Sequence, residues 1–226
     1  SDKTEIYAFG GLNYRLGEST AFRRQPAQLH QTVASIYPNG FLPLIETNNY
    51  DRSLSAGIRS EINGWKVDFS NTYGNNTIDF GVKNTVNASM KESSPTAFDA
   101  GGYRFTQNTT NLDFTRFFDN TLDGINVAFG GEFRYENYQI VGGEEASYAN
   151  YGKVRQIGVD GNGKPIYVQD FNGNINTLFA ANGTALAGGA QSFPGFLPAN
   201  EVNANRHSVA AYLDTEFNFS KDFLVA

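Results

Sequence analysis

The residues whose types and spacing suit chemistry are few, and each has a plain structural alternative. Asp160-Gly-Asn-Gly-Lys-Pro165 has the oxygen-rich composition of a calcium loop. It also lies between Val154-Arg-Gln-Ile157 and Ile166-Tyr-Val168, and Gly and Asn supply the positive φ that a tight hairpin turn needs. The turn is the favoured reading. Asp170, Asn172 and Asn174 have the Asp-x-Asn-x-Asn spacing of an EF-hand, which also needs Gly at its sixth position and Glu at its twelfth. Here those positions are Ile175 and Ala181. His30 and His207 stand far apart, with no cysteine and no His-Glu-x-x-His pattern, so no metal site is expected. His207 reads as a solvated polar residue. No nucleophile elbow supports a Ser-His-Asp triad. The Gly-Gly pairs that begin at Gly10, Gly101, Gly130, Gly142 and Gly188 lack the Gly-x-Gly-x-x-Gly context of a strand entering a helix, and read as kinks and hinges. Neither an enzyme nor a cofactor is expected.

Two sets of residues remain. Glu132, Arg134 and Glu136 follow one another at alternate positions, as do Asp214 and Glu216. They form either a hydrated wall, the plainer reading, or a polar surface that binds a plug or guides a ligand. Arg23, Arg24, Tyr37, Tyr148, Tyr151 and Tyr167 lie in long connections, and Arg and aromatic residues are favoured in recognition. They are the candidate ligand contacts.

The elements that must position these residues are strands. In Asn63-Gly-Trp-Lys-Val-Asp-Phe-Ser-Asn-Thr-Tyr-Gly-Asn-Asn76, Trp65, Val67, Phe69 and Tyr73 alternate with Lys66, Asp68, Ser70 and Thr72. Such a strand has one apolar and one polar face. Six strands are expected, over about Thr4–Arg15, Asp51–Ile62, Trp65–Val82, Gly102–Phe118, Gly124–Ile140 and Arg206–Phe219, with a seventh opening at Phe223. The odd parity of Tyr103 and Phe105 against Leu112 predicts a bulge or an inward aromatic pair there.

The links between these strands alternate: long, short, long, short, very long, short. Transmembrane β-barrels have this pattern, with short periplasmic turns, long extracellular loops, and strands that are apolar towards lipid and polar towards the lumen. Aromatic residues beside the short turns (Trp65, Phe117, Phe118, Phe217, Phe219, Phe223) fit an interfacial girdle. The fold expected is all-β: an antiparallel meander of about six to seven long strands, part of a transmembrane β-barrel. Asn63, Asn120 and Lys221 are then periplasmic, and Asn39, Thr96 and Gly161 extracellular. The link from Val141 to Asn205 exceeds the ~12–15 residues common for a structureless loop. It is expected to hold a hairpin turning near Asp160 to Gly163, then a mobile stretch from Asn172 to Gln191.

Composition narrows the partners. A net charge of −6 and a pI near 4.9 carry no basic footprint, so nucleic acid is not an expected partner. No run of ~18 apolar residues is present for a membrane-spanning helix. The opening SDKTEIYAFGG runs straight into a strand pattern and the closing KDFLVA stops within one, so the chain is expected to be a piece of something longer.

KTEIYAFGGLNYRLGE with YPNGFLP, then GWKVDFSNTYGNNTIDFGVKNTVNAS, SPTAFDAGGYRFTQNTTNLDFTR, VAFGGEFRYENYQIVGGEEASYANYG and FPGFLPANEVNANRHSVAAYLDTEFNFSKDFLVA resemble TonB-dependent outer-membrane receptors, especially those of Bacteroidetes. The resemblance implies a parent barrel of 22 strands in the bacterial outer membrane around a plug domain. Its partners would be outer-membrane lipid, the plug, the TonB complex, and an unknown small-molecule or glycan ligand such as a metal chelate or cobalamin. The whole chain, 1–226, is then a partial barrel domain without the plug and the remaining strands. A passive porin-like barrel and a soluble all-β carbohydrate-binding module are the alternatives, with an enzyme last.

Overall fold

Asn63 (φ 50°) and Gly64 (φ 81°) both have positive φ, as a two-residue hairpin turn requires. They join two strands paired without interruption from Ile62↔Trp65 to Leu44↔Lys83. The computed structural model describes residues 4–220 and 223–225. One antiparallel sheet is built from β1 (Thr4–Thr20), β2 (Leu44–Ile62), β3 (Trp65–Lys83), β4 (Ala97–Phe118), β5 (Ile125–Val141), β9 (Val202–Ser220) and β10 (Phe223–Val225), in that spatial order. Three short strands lie in the link before β9: β6 (Lys153–Val159), β7 (Pro165–Gln169) and β8 (Ile175–Asn176), in the order β7-β6-β8. The chain is an all-β antiparallel meander.

The strands run further at the long-link end than side-chain alternation predicts. β1 continues to Thr20, β2 begins at Leu44 and β4 at Ala97. There the backbone ladder persists after the apolar alternation has stopped, because pairing is made by main-chain groups. Of the two alternatives expected at Tyr103 and Phe105, a bulge or an inward aromatic pair, the structure has the pair. Pairing between β3 and β4 is unbroken from Lys66↔Thr115 to Asp79↔Gly102, and the register shifts only between Phe80 and Gly81, leaving Ala100 as the extra residue. Tyr103 and Phe105 therefore do face away from Leu112.

Register assigns every side chain to one of two faces. The apolar face carries Ile6 and Leu12 of β1, Leu54 and Ile58 of β2, Trp65, Val67 and Phe69 of β3, Leu112 and Phe114 of β4, Val127 and Phe133 of β5, and Val209 and Leu213 of β9. None of the described residues covers it: Ile6 is 80%, Leu12 85% and Val209 82% exposed. At the short-turn end Trp65 meets Phe118 edge-on at 6.1 Å and Phe129 at 5.4 Å, and Phe114 stacks on Phe129 at 4.9 Å. Arg116 lies over Phe118 and donates to the Asn63 carbonyl, keeping its charge at the turn. Phe117, expected in this girdle, has the parity of the opposite face.

The buried core lies elsewhere. Val82, Phe98, Ala100 and Ala190 form one cluster, packed by Phe80, Ala146 and Phe193. Val33, Phe41 and Val86 form another, with Ile36 and Tyr37. The first packs the third link on the ends of β3 and β4, and the second joins the first and second links. Asn87 of the second link donates to the Ala146 and Ala149 carbonyls of the third at 2.8 and 2.9 Å. Ala187 donates to His30 of the first link and accepts from Ser89 of the second. The links thus form one packed cap. The segment Asn172 to Gln191 belongs to it in part: Leu186, Ala190 and Gln191 are buried, so its end is packed into the cap where a mobile stretch was expected. The hairpin turns where expected, with Asp160 accepting from the backbone N–H of Asn162 and Lys164. Asn63 and Asn120 lie at one end of the sheet, and Asn39, Thr96 and Gly161 in links at the other. Lys221 lies outside the described residues.

Candidate functional site

The second face of the sheet is polar across its middle. Asp68 accepts from the Tyr7 hydroxyl at 2.7 Å and pairs with Arg59 at 3.2 Å, whose guanidinium lies over the Tyr7 ring. All five residues predicted for a polar wall have the parity of this face. Glu132 pairs with Arg134 at 2.7 Å. Glu136 is buried and takes both Nε (2.7 Å) and Nη2 (2.5 Å) of Arg206. Glu216 accepts from Asn126, and Asp214 lies beside Tyr212, whose hydroxyl donates to Asp113 at 2.9 Å. Glu136 and Glu216 are held by partners from the neighbouring strand and Glu132 by Arg134 on its own strand, so this wall is an ordered network.

Towards the cap the same face becomes aromatic. Phe80 and Tyr103 contact Phe193 and Phe196 of the third link, with ring centroids 5.1–6.0 Å apart, and Tyr103 stacks on Tyr138. The switch of parity in β3, from Trp65-Val67-Phe69 to Ile78-Phe80-Val82, is explained here: the upper apolar residues turn inward to carry the third link.

Between the polar and aromatic zones lies a trough of about 480 Å³. Its walls include Asn13, Asp51, Asn76, Gln107 and Phe105, and Gly11 and Gly74 form part of its floor. Asp51 accepts from Asn76 at 2.6 Å and from Asn13 at 3.1 Å. A smaller cleft on the far side of Phe105 is lined by Glu136, Tyr138 and Arg206. Sequence reasoning missed the trough residues. The signal was the parity of Thr72, Gly74 and Asn76, which places them opposite Trp65 and Phe69.

The six candidate ligand contacts do not form one group. Arg23 is exposed and donates to the Asn39 carbonyl. Arg24 bridges to Phe41 in the backbone and lines a cleft with Thr20, Phe22 and Ser192. Tyr37 is part of the core of the cap, tilted on Phe41 at 4.9 Å, and its burial raises its pKa. Tyr148 and Tyr151 both meet Phe171 edge-on. The Tyr151 phenol is pushed up to about 12, mainly by burial and then by its hydrogen bond to Glu145. Tyr167 stands exposed on β7, apart from the others. His207 lies on the apolar face between Phe133 and Tyr135, so it borders the apolar band. No group of His, Asp and Glu suited to a metal ion occurs among the described residues.

No family model, curated protein or solved structure matches the chain.

Proposed function

We propose that this chain is part of the wall of a transmembrane β-barrel in a bacterial outer membrane, and that the parent protein is a receptor of the TonB-dependent kind that binds and imports a scarce nutrient. The observation that carries the reading is the uncovered apolar band. Its side chains span six strands with none of the described residues packed over them, whereas soluble proteins rarely expose contiguous apolar patches beyond a few hundred Å². Lipid is the solvent that such a face suits.

The shape of the band supports this. On β1 it ends at Leu16, which registers with Asp79 of β3 through Asn48. On β9 it ends at Val209, which registers with Asn71 through Phe133 and Thr110. The border therefore drops by about eight residues over roughly five strand steps, with the strands between descending unevenly. At ~3.3 Å per residue and ~4.8 Å per strand step, it is inclined by roughly 45° to the hydrogen-bond rows. A membrane surface cuts the strands of a barrel at such an angle, since they tilt by ~35–45°. The polar wall then faces the lumen, and the cap stands outside.

The receptor reading adds to the barrel reading the ordered polar wall and the folded cap. Uptake driven from the inner membrane would be a property of the parent as a whole. Trp65 tests the barrel, because it is the only tryptophan. With the chain folded into bilayers, bromine placed near the lipid headgroups should quench Trp65 strongly, bromine at the bilayer centre less, and aqueous acrylamide weakly. Strong quenching by acrylamide with no effect of brominated lipid would refute the lipid-facing assignment.

A further inference from the structure

We infer that the trough on the polar face is a subsite for a neutral, polyhydroxylated ligand, namely a sugar ring of a glycan. The inference rests on the barrel reading above, which makes the trough part of the lumen wall just below the cap.

The first argument is shape. Gly74 sits within β3 without a positive φ, and a Cβ built there would meet nothing within 4 Å. Neither a turn nor a close backbone approach requires glycine. Gly inside a strand weakens it and often marks a place where a ligand comes close. The space left has the size of a small-ligand site.

The second argument is chemistry. Asn13 and Asn76 each give an amide hydrogen to Asp51, and Gln107 gives one to Thr109. An amide has a second hydrogen and a carbonyl oxygen, so groups already oriented by one bond can serve a hydroxyl with the next. Phe105, 37% exposed, adds a ring face beside these amides. Donors and acceptors beside one aromatic face suit a pyranose, which has hydroxyls around its rim and C–H bonds on its faces.

The third argument is charge. The inward positions are Tyr7 to Asn13 on β1, Asp51 to Gly57 on β2, Ser70 to Asn76 on β3 and Phe105 to Asn111 on β4. None holds a Lys or Arg, and Asp51 is the one ionised group among them. Anions such as phosphate or a carboxylate-rich metal chelate are recognised through charge-assisted bonds from cations. Here the nearest ionised group would be the Asp51 carboxylate; Arg15 stands one inward position further along β1, and Arg206, beyond Phe105, is engaged by Glu136.

The test uses the full chain folded in a zwitterionic detergent, applied to an array of immobilised neutral oligosaccharides, with ferric citrate titrated separately. At least one neutral glycan should be retained. Gly74→Phe, which fills the trough, should lower that retention tenfold or more, and Gly74→Ala should change it little. Phe105→Ala adds no bulk and should also weaken retention, so the test stands even if Gly74→Phe disturbs the sheet. Retention of no neutral glycan, or retention unaffected by both Gly74→Phe and Phe105→Ala, would overturn the assignment. So would binding of ferric citrate that Gly74→Phe abolishes. Failure here with Trp65 still quenched by brominated lipid removes the ligand class alone; loss of that quenching removes the barrel reading itself.

Discussion

The phenol of Tyr151 donates to Glu145 at 2.9 Å from a partly buried position, and both circumstances favour its protonated form. Burial is the larger cause, and the neighbouring carboxylate adds to it. The folded-state value, about 12, stands above the ordinary 10.0, so the stabilisation is complete below pH ~10 and is lost as the pH rises towards 12. In an ultraviolet titration of the phenolates, Tyr151 should be among the last of the twelve tyrosines to ionise. Glu145→Gln should bring it part of the way down, because the burial remains. A Tyr151 that titrates with the bulk before and after that substitution would show that the contact is not formed. Asp170 in the same link moves the other way: Arg155 at 3.0 Å, and then the Asn172 N–H, hold its carboxyl below the usual carboxylate range.

Among the elements, the β2–β3 hairpin is the most strongly specified. Its turn needs two consecutive residues with φ > 0, and Asn63 and Gly64 supply them. A β-branched residue at Gly64 must adopt a left-handed conformation, at a cost of about 1–2 kcal/mol. Its Cβ would also come within 3.3 Å of the Arg116 guanidinium, a flexible neighbour that can move. Gly64→Val should therefore lower the unfolding free energy in micelles by that amount and leave the strand content unchanged. An unchanged denaturation midpoint would mean that the turn does not set the register. The hairpin β6–β7 has a looser turn, closed by Asp160, and should tolerate substitutions at Gly161, where an added Cβ meets nothing within 4 Å.

For the molecule as a whole, the distribution of burial separates two parts. The sheet has an apolar and a polar face and no core of its own, whereas the cap has a core like that of a soluble protein. Asn87 joins the second and third links: it is fully buried, donates to Ala146 and Ala149, and accepts from Ser89. Asn87→Ala leaves those groups buried without their partner, which costs about 2–3 kcal/mol. Proteolysis of residues 142–201 in the bilayer-embedded chain should then speed up more than tenfold, while the strands stay protected. Equal cleavage rates in wild type and Asn87→Ala would show that the cap is not held together through this residue.

The amino-acid sequence by itself determined the strands, the turn at Asn63-Gly64, the alternation of link lengths and the polar series Glu132-Arg134-Glu136. These depend on side-chain period and turn chemistry, which are local. It also located the third-link hairpin at Asp160 to Gly163. The inward parity of Phe80 and Tyr103 is explained by tertiary packing alone, because it makes sense only once Phe193 and Phe196 fold back on them. The same holds for Tyr37, offered by type as a ligand contact and found packed in the core of the cap, and for Gln191, which is buried against Thr85 and Val86 far earlier in the chain. The trough could not be read in advance either. Asn13, Asp51, Asn76 and Gln107 come from four strands, and register brings them together across separations that no local pattern encodes.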